Sequence, residues 1–198
     1  MIRLIGGPSR CGKSTLSKEV ASQTGSQLLH GDFIRPAMEA VASGNDLVAL
    51  RLRPKESEYT PDQWIEQLRT RDAVIWRGLK EVISNVIQHG EDIVVEGNIW
   101  PDYAAELAGQ HTLKATFIID TDVDAHTRRL ADLAAADDTD NNWMKNWDQD
   151  RLTKWATYNV ARSQRIAELA IEHGFPVFDI AEGGISYAQE RAAQYLVS

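Results

Sequence analysis

Cysteine is almost absent from this sequence, because Cys11 is the only one among its 198 residues. A single cysteine cannot form an intramolecular disulfide, which excludes the small secreted domains that disulfides hold together. No apolar run reaches the roughly 18 residues that a membrane-spanning helix needs, and no basic leader with an apolar core opens the chain. We therefore expect a protein without a membrane segment that works in the cytoplasm.

Basic residues are also outnumbered, since 21 Lys and Arg stand against 29 Asp and Glu and the net charge is -8. This balance opposes loose binding to nucleic acid or acidic lipid, so neither is an expected partner. The histidines show no spacing typical of a structural zinc site, and no cysteine pair exists to complete one. With 43% hydrophobic residues, the chain can build one sizeable core in a single domain of residues 1–198.

Short apolar runs, rich in β-branched or aromatic residues, alternate with stretches of helical periodicity. The five runs are 2–7, 27–32, 92–97, 113–120 and 176–180. The helical stretches are 13–24, 34–43, 61–89, 101–109, 122–136, 145–173 and 186–197. Near-continuous apolar character is typical of strands buried on both faces. The alternation predicts an α/β fold with a doubly wound, five-stranded parallel sheet.

Two long connections interrupt this alternation. Residues 33–91 are too many for a single crossover, so we expect a mostly helical excursion there, on the substrate side. Its longest helix starts at 60–63, where TPDQ forms a capping-box pattern with proline at the first helical position. A second excursion, about 126–160, is polar and rich in tryptophan, and we interpret it as a lid region.

The sharpest motif lies between the first strand and the first helix. Residues 7–14 read GPSRCGKS and satisfy the G-x-x-x-x-G-K-[ST] template of a phosphate-binding loop. The predicted phosphate-binding residues are Gly7, Pro8, Ser9, Arg10, Cys11, Gly12, Lys13, Ser14 and Thr15. A strand that passes through glycines into a helix aims backbone N–H groups and the helix dipole at one anion.

Individual residues of the loop have separate expected roles. Lys13 supplies positive charge to the β- and γ-phosphates, and the Ser14 hydroxyl completes the shell of a bridging Mg²⁺. Thr15 is placed to contact an inner phosphate. Cys11 is interpreted as a small filler residue, with a redox role as the alternative.

The loop and the ordered pattern of the whole chain resemble the small P-loop kinases of the adenylate-kinase-like group. This group includes nucleoside monophosphate, shikimate and gluconate kinases, zeta toxins and 2-phosphoglycerate kinase. The resemblance implies the strand order 2-3-1-4-5, with ATP and Mg²⁺ as donor and cofactor. Only the phosphate loop is specific by itself.

Further residues match positions that such kinases use. Asp32, in HGDFIRP after the second strand, resembles the Asp close to the acceptor hydroxyl, and Arg35 follows it. Asp32 can take or orient the hydroxyl proton, and it can also cap the next helix. Glu96, in VVEGNIWP, resembles the acidic magnesium position, where several of these enzymes have Asp. Its alternative is an ordinary solvated carboxylate.

The resemblance also implies a lid and a base-binding wall. Arg128 and Arg129 match the arginines that reach the transferring phosphates. Arg128 is the preferred candidate, with Arg129, Arg151, Lys154 and Arg162 as competitors. The loop after the last strand passes the adenine ring in these kinases. Residues 181–183 therefore become the expected base-side wall, with Ala181 and Gly183 as contacts.

The excursion holds basic residues that suit an acceptor already bearing phosphate or carboxylate. They are Arg51, Arg53 and Lys55, with Arg69, Arg71 and Arg77 on the helix beyond. Guanidinium groups bind such oxygens in pairs. We predict that Arg35, Arg51, Arg53 and Arg77 contact the acceptor, with Trp100 at the lip of the cleft. A solvated surface strip is the alternative.

These features together predict an ATP- and Mg²⁺-dependent phosphotransferase that acts on a small hydroxyl- or phosphate-bearing acceptor. An NTPase or nucleotide-driven switch that acts through a protein partner is the main alternative. A nucleotide-binding module without efficient turnover is a third. The same scaffold serves many acceptors, so the sequence leaves the acceptor's identity open.

Overall fold

The computed structural model describes residues 1–136 and 142–198. Within them, five strands form one parallel sheet in the order β2-β3-β1-β4-β5. The strands are β1 (Ile2–Gly6), β2 (Gln27–His30), β3 (Ile93–Glu96), β4 (Leu113–Ile119) and β5 (Val177–Asp179). The predicted α/β fold and its strand order are confirmed.

The central strands are apolar throughout because they are buried on both faces. Every residue of β1 and of β3 is buried. Leu4 in β1 lies opposite Val95 on one side and Ala115 on the other. The loop after β1 therefore emerges at the middle of the carboxyl edge of the sheet, where open α/β sheets usually bind their ligands.

Helices fill the connections in the described part of the chain. They are α1 (Lys13–Thr24), α2 (Ile34–Val41), α3 (Gly44–Leu50), α4 (Pro61–Gln88), α5 (Pro101–Ala108), α6 (Val123–Ala136), α7 (Gln149–Glu172) and α8 (Ile185–Val197). Short 3-10 turns at Gly31–Phe33 and Ile180–Glu182 follow β2 and β5. None of the described helices is long and apolar enough to cross a membrane.

One helix was not predicted, and one helix begins several residues later than predicted. The helix α3 was not predicted, because seven residues are too few for a helical period to show. The helix α7 begins at Gln149 rather than near 145, because the Asp148 side chain accepts a 2.8 Å hydrogen bond from the backbone N–H of Arg151. That contact is a helix N-cap, which fixes the start of the helix.

The capping box at the start of α4 is confirmed. The Thr60 side chain accepts a hydrogen bond from the Gln63 N–H, and the Gln63 side chain accepts one from the Thr60 N–H. Pro61 occupies the first helical position. At the other end, Gly90 has a φ of 77° just after the cap residue His89.

Helices cover both faces of the sheet. Alternating strand residues such as Ile5 and Ile118 face α1 and α8, whereas Leu4 and Phe117 face α4, α5 and α7. The helices α2, α3 and α4 occupy the predicted excursion of residues 33–91. The predicted lid region, 126–160, includes residues 137–141, which lie outside the described residues.

Candidate active site

The loop between β1 and α1 passes close to other backbone and side-chain groups. Gly7 has a φ of 136°, and a Cβ there would lie 2.0 Å from the carbonyl oxygen of Ile118. Gly12 has a φ of 76°, and a Cβ there would lie 2.6 Å from Gln189 Nε2. The two glycines that the phosphate-loop template fixes therefore stand where a side chain does not fit.

Alanine substitutions at two glycines test whether the phosphate loop is tightly packed. For Gly7→Ala we expect the free energy of unfolding to fall by about 3 to 5 kcal/mol, because the methyl group collides with a strand backbone. Gly90→Ala is the matched control, since Gly90 also has a positive φ but a Cβ there meets no atom within 4 Å. Its cost should be only about 1 to 2 kcal/mol. Urea unfolding measures both, and equal losses would contradict the tight packing of the loop.

Lys13 opens α1 and is almost fully buried. Its Nζ donates a 2.6 Å hydrogen bond to the Pro8 carbonyl oxygen. Burial lowers the pKa of Lys13, and the neighbouring Cys11 and Glu96 oppose that shift. Gly12 caps α1 without a side-chain hydrogen bond. A buried ammonium group and a helix N-terminus thus lie at the same loop. Both favour a phosphate group bound there.

Cys11 lies within the loop but packs in the interior, with 1% of its surface exposed. Burial raises the pKa of Cys11 to about 11, and the positive charge of Lys13 only partly opposes this. The thiol therefore stays protonated near neutral pH. This supports the filler interpretation over a redox role.

Ser14 and Glu96 meet at the mouth of the loop. Ser14 Oγ donates a 3.2 Å hydrogen bond to Glu96 Oε1, and His30 Nδ1 lies 2.7 Å from the same oxygen. Thr15, the next residue, is exposed in the first turn of α1. Two neighbouring oxygen ligands of an octahedral Mg²⁺ lie about 2.9 Å apart, so Ser14 and Glu96 fit this ion.

Magnesium usually completes its shell with phosphate oxygens and waters. No group of three or more His, Cys, Asp and Glu side chains suited to a metal occurs in residues 1–136 and 142–198. Ser14 and Glu96 would supply two oxygens to such an ion, which leaves its other positions to phosphate oxygens and waters.

Two adjoining cavities open at the carboxyl edge of the sheet. The first, the loop cavity, has a volume of about 280 Å³ and is lined by Lys13, Ser14 and Glu96 among others. The second, the arginine cavity, has a volume of about 630 Å³ and lies beside α2, α4 and α7. The residues that line both are Ser9, Asp32, Asn98 and Trp143. Asp32 is thus exposed at the junction of the two cavities.

The arginine cavity carries an excess of positive charge. Its cationic lining residues are Arg35, Arg53, Lys55, Arg71, Arg151 and Arg162. Its acidic lining residues are Asp32 and Glu56. Glu39, Glu58 and Asp72 pair with five of these cations from outside the lining. Because the lining itself has more cations than carboxylates, it favours a negatively charged occupant.

Behind the lining, Asp72 is shared by two of these arginines. Asp72 Oδ1 accepts hydrogen bonds from Arg71 Nε and Nη2 at 3.1 and 2.9 Å. Asp72 Oδ2 lies 3.6 Å from Arg162 Nη2, which also donates to Asn98 Oδ1 at 3.1 Å. Burial lowers the pKa of Arg162, and the charge of Asp72 is the largest influence that opposes this. One carboxylate, that of Asp72, therefore holds two buried guanidinium groups. The three groups together keep a net positive charge.

A second carboxylate, Glu39, is shared in the same way. Its Oε1 lies 3.3 Å from Arg35 Nε and 3.1 Å from Arg53 Nη2. Burial lowers the pKa of Arg35, and repulsion by Arg53 and Arg71 lowers it further. The guanidinium groups of this cavity are therefore close enough to oppose one another, and an anion between them would relieve that repulsion.

The expectation that Trp100 lies at the lip of the cleft is wrong. Trp100 is fully buried, and its indole N–H donates a 3.1 Å hydrogen bond to Asp72 Oδ2. The guanidinium groups of Arg69 and Arg162 lie 4.7 and 5.1 Å from its ring centroid. The sequence-based prediction misplaced this ring because Trp100 follows the end of β3, on the side of the cleft. The Trp100 side chain instead points into the core before α5 begins. Trp100 therefore supports the arginines from behind.

Arg51 and Arg77, the other expected acceptor contacts, are outside the lining of the arginine cavity. Both are exposed, and Arg77 forms a 2.6 Å ion pair with Asp46 of α3. Of the predicted acceptor residues, the structure brings together Asp32, Arg35 and Arg53. Arg71 and Arg162 also line the arginine cavity.

The two candidate lid arginines point in different directions. Arg128, the candidate that the sequence favours, is exposed on α6, so the structure does not support that preference. Arg129 is partly buried, and its side chain forms an ion pair with Asp120 at the end of β4. Burial lowers the pKa of Arg129, and the negative charge of Asp179 opposes this. Arg129 is therefore the one of the two that is held at the end of β4, on the carboxyl edge of the sheet.

The expected base-side wall is exposed beside the phosphate loop. The Ala181 N–H donates to Asp179 Oδ1 at 2.9 Å, and a Cβ on Gly183 would lie 2.5 Å from the Tyr187 ring. This loop leads into α8, whose Gln189 side chain donates a 2.8 Å hydrogen bond to the Gly12 carbonyl oxygen. Residues 181–183 are thus close to the phosphate loop, and their surface is exposed to solvent.

Among the residues of the site that escaped sequence reasoning are His30, Asp72 and Asn98. Asp72 gave a usable signal, because it falls on the apolar stripe of α4 between Leu68 and Ile75. A carboxylate on the buried side of a helix needs a cationic or hydrogen-bonding partner. His30 and Asn98 gave no signal beyond their positions at strand ends.

By sequence, no family model and no curated protein matches this chain. Solved structures are nevertheless similar over 98% of this chain. They include a sugar kinase from Janibacter sp. (15% identity, TM-score 0.59, 93% of that chain), shikimate kinase from Bacteroides thetaiotaomicron (16%, 0.57, 94%) and a gluconokinase from Sinorhizobium meliloti 1021 (14%, 0.54, 90%). At such identities the likeness concerns the fold. The chain has the fold of the small P-loop kinases.

Proposed function

We propose that this chain is an ATP- and Mg²⁺-dependent phosphotransferase that moves the γ-phosphoryl group to a small hydroxyl- or phosphate-bearing acceptor. The observation that carries the proposal is the pair of adjoining cavities with Asp32 at their junction. One cavity is lined by the phosphate loop and the other by arginines, so a donor and a separate anionic acceptor each have a place. A simple NTPase would not require the second cavity.

On the donor side, the loop amides and Lys13 would hold the β- and γ-phosphates of ATP. Ser14 and Glu96 would hold Mg²⁺, which neutralises charge on the transferred group when it is bound. His30, hydrogen-bonded to Glu96, keeps that carboxylate oriented toward Ser14. Ala181 and Gly183 would border the adenine ring through backbone groups.

On the acceptor side, Asp32 would accept the proton of the attacking hydroxyl. The acceptor oxygen then bonds to the γ-phosphorus while the bond to the bridging oxygen breaks, and ADP leaves. Arg71 and Arg162 would hold an anionic group of the acceptor, because Asp72 fixes both of them in place. The excursion of α2 to α4 and the region 126–160 thus become the acceptor-binding side and the lid of one domain.

Among the lid arginines, we propose that Arg129 contacts the transferring phosphates. Arg129→Ala should lower the rate of transfer by about 10- to 100-fold, because it removes a hydrogen bond to a charged group. Arg128→Ala, on the adjacent exposed position, is the control and should change the rate less than twofold. Steady-state kinetics measures both, with melting curves to verify that each variant is folded. Equal effects at the two positions would remove Arg129 from this role.

The proposal is tested by a screen with γ-labelled ATP and Mg²⁺ against hydroxyl-bearing carboxylates, phosphates and nucleotides. We expect label in an acceptor, with little ADP formed when no acceptor is present. Equal ADP formation with and without every acceptor would instead favour the NTPase or switch alternative. Tight ATP binding with no labelled product would favour a binding module.

A further inference from the structure

Arg10 has an unfavourable backbone conformation in the middle of the phosphate loop. Its φ is 65°, and within residues 1–136 and 142–198 it is the one residue other than glycine with a positive φ. The loop template leaves this position free, and glycine would adopt the same conformation without a steric cost. Strained backbone of this kind is found mostly at functional sites. An arginine here is explained if its side chain has a role that outweighs the strain.

The Arg10 side chain forms no ion pair and no hydrogen bond with the part of the chain that the structure describes. Its guanidinium group instead lies 5.6 Å from the ring centroid of Trp143. Trp143 packs edge to face on Trp147 and Trp155, with centroid distances of 4.9 and 5.2 Å. Those two rings pack against a small core that includes Leu130. The Trp143 ring is therefore held from behind, and the N–H donors of Arg10 stay unpaired.

Arg10 and Trp143 both line the loop cavity. Lys13 and Asp32 line it as well, whereas Arg10 is absent from the lining of the arginine cavity. In the proposed transfer, the γ-phosphoryl group moves from the polyphosphate beside Lys13 to an acceptor hydroxyl beside Asp32. The cavity that Arg10 lines is therefore the one that the transferred group occupies.

A guanidinium group can keep its contact with an indole and bind phosphate at the same time. Its face stacks on the aromatic ring, while its N–H donors lie in the plane of the group and match pairs of phosphate oxygens. Stacking also limits the orientations of the long side chain, which lowers the entropy lost when phosphate binds. The indole of Trp143 thus prepares Arg10 for an anionic group in the loop cavity.

We propose that Arg10 is a catalytic residue that donates its in-plane N–H groups to the transferred phosphoryl group, and that Trp143 positions Arg10 by stacking on its guanidinium face. The inference rests on the proposed phosphotransferase function and adds two residues to it. Arg10 contacts the reacting group, whereas Trp143 acts only through Arg10. Because Trp143 belongs to the region 126–160, the contact also links the phosphate loop to the proposed lid.

The contribution of Arg10 is to the charge on the transferred group. While the acceptor oxygen bonds to the γ-phosphorus and the bond to the bridging oxygen breaks, negative charge is spread over the three peripheral oxygens. Arg10 donates hydrogen bonds to these oxygens, and no proton moves to or from it. ADP lacks the γ-phosphoryl group, so its binding does not depend on Arg10.

Calorimetry with two nucleotides tests the role of Arg10 and needs no acceptor. For Arg10→Ala we expect the magnesium complex of a non-hydrolysable ATP analogue to bind about 10- to 100-fold more weakly, which is the range for loss of a hydrogen bond to a charged group. MgADP should bind within twofold of its wild-type affinity. A residue that only shapes the loop would affect both nucleotides alike, so equal losses, or no loss for either, would overturn the proposal.

Arg10→Gly separates the side chain from the backbone. Glycine adopts a φ of 65° without a steric cost, so this variant keeps the shape of the loop even if Arg10→Ala does not fold. We expect the same selective loss of the ATP analogue as in Arg10→Ala. Wild-type affinity for the analogue in Arg10→Gly would show that the side chain takes no part in phosphate binding.

A double-mutant cycle tests whether Trp143 acts through Arg10. Trp143→Ala should weaken binding of the ATP analogue by about 2- to 5-fold, the range for a partly exposed cation–π contact, and leave MgADP unchanged. Trp143→Phe should restore most of this loss. In the Arg10→Ala background, Trp143→Ala should cause no further loss. The same loss in both backgrounds would contradict a positioning role for Trp143.

Arg191→Ala is the matched control for Arg10. The Arg191 guanidinium lies 5.5 and 5.6 Å from the ring centroids of Phe178 and Tyr187, so it makes a similar contact, but it lines neither cavity. This variant should leave the ratio of the two nucleotide affinities unchanged. A shift of that ratio equal to the one in Arg10→Ala would show that the effect does not depend on the loop cavity.

The two proposals can fail independently. If the wild-type protein takes up no MgATP, the phosphotransferase proposal fails. If it takes up MgATP, and the Arg10 variants bind the ATP analogue as tightly as the wild type does, only the role of Arg10 fails.

Discussion

Asp32→Asn is expected to slow phosphoryl transfer by about 10²- to 10⁴-fold and to leave MgATP affinity unchanged. Asp32 lies where the two cavities meet, on the 3-10 turn after β2, so its carboxylate is in reach of an acceptor hydroxyl. Asparagine keeps the shape of the side chain but cannot accept the proton. Transfer kinetics with saturating ATP, together with calorimetry of MgATP, separate the two effects.

Asp46→Asn is the matched control for this substitution. Asp46 is an exposed carboxylate of the same excursion, and it pairs with Arg77 away from both cavities. Loss of such a surface ion pair costs less than about 1 kcal/mol of stability, and the rate should not change. Transfer at the wild-type rate in Asp32→Asn would remove Asp32 from the chemistry.

Lys13→Ala is expected to lower the transfer rate by about 10³-fold or more and to weaken MgATP binding as well. Lys13 is a cation at the base of the loop cavity, and its Nζ is 2.6 Å from a loop carbonyl oxygen. Both the ground state and the transition state of the donor depend on it, so affinity and rate fall together. Lys18→Ala, an exposed position on the same helix, should change neither quantity.

The stability of Lys13→Ala provides a further check. Because burial lowers the pKa of Lys13, folding disfavours its charged form, and relief of that cost offsets the loss of the hydrogen bond to the Pro8 carbonyl oxygen. We expect the melting temperature in the absence of ATP to stay near that of the wild type. A folded Lys13→Ala variant that binds MgATP normally would contradict the role given to the loop.

The sheet and the donor side could be predicted because their signals are local. A strand that is buried on both faces reads as an apolar run, as β1 and β3 do. The phosphate loop needs glycine at two fixed positions because a side chain at either one would collide with a neighbour. The start of α4 could likewise be located from the capping box at Thr60.

The acceptor side was harder because a basic residue does not reveal the direction in which it points. Arg71 and Arg77 lie on one helix, yet Arg71 shares the buried side with Leu68 and Ile75, and Arg77 faces solvent. The helical period could have separated them, since residues 68, 71, 72 and 75 lie on one face of α4. Trp100 offered no such guide, because a tertiary contact with Asp72 holds it in the core.

The lid arginines illustrate the same limit. Arg128 and Arg129 are neighbours in sequence and point about 100° apart on a helix, so one of them was bound to face away from the loop. Only the position of α6 against the end of β4 identifies which one. The ion pair between Arg129 and Asp120 supplies that information, and it joins residues that no local pattern connects.

The central claim is that the loop after β1 binds the polyphosphate of ATP together with Mg²⁺. Calorimetry of MgATP binding to the wild-type protein and to Lys13→Ala tests it most directly. We predict saturable uptake of one MgATP per chain, greatly weakened in the variant and in the absence of Mg²⁺. No uptake by the wild-type protein, or uptake that the substitution leaves unchanged, would contradict it.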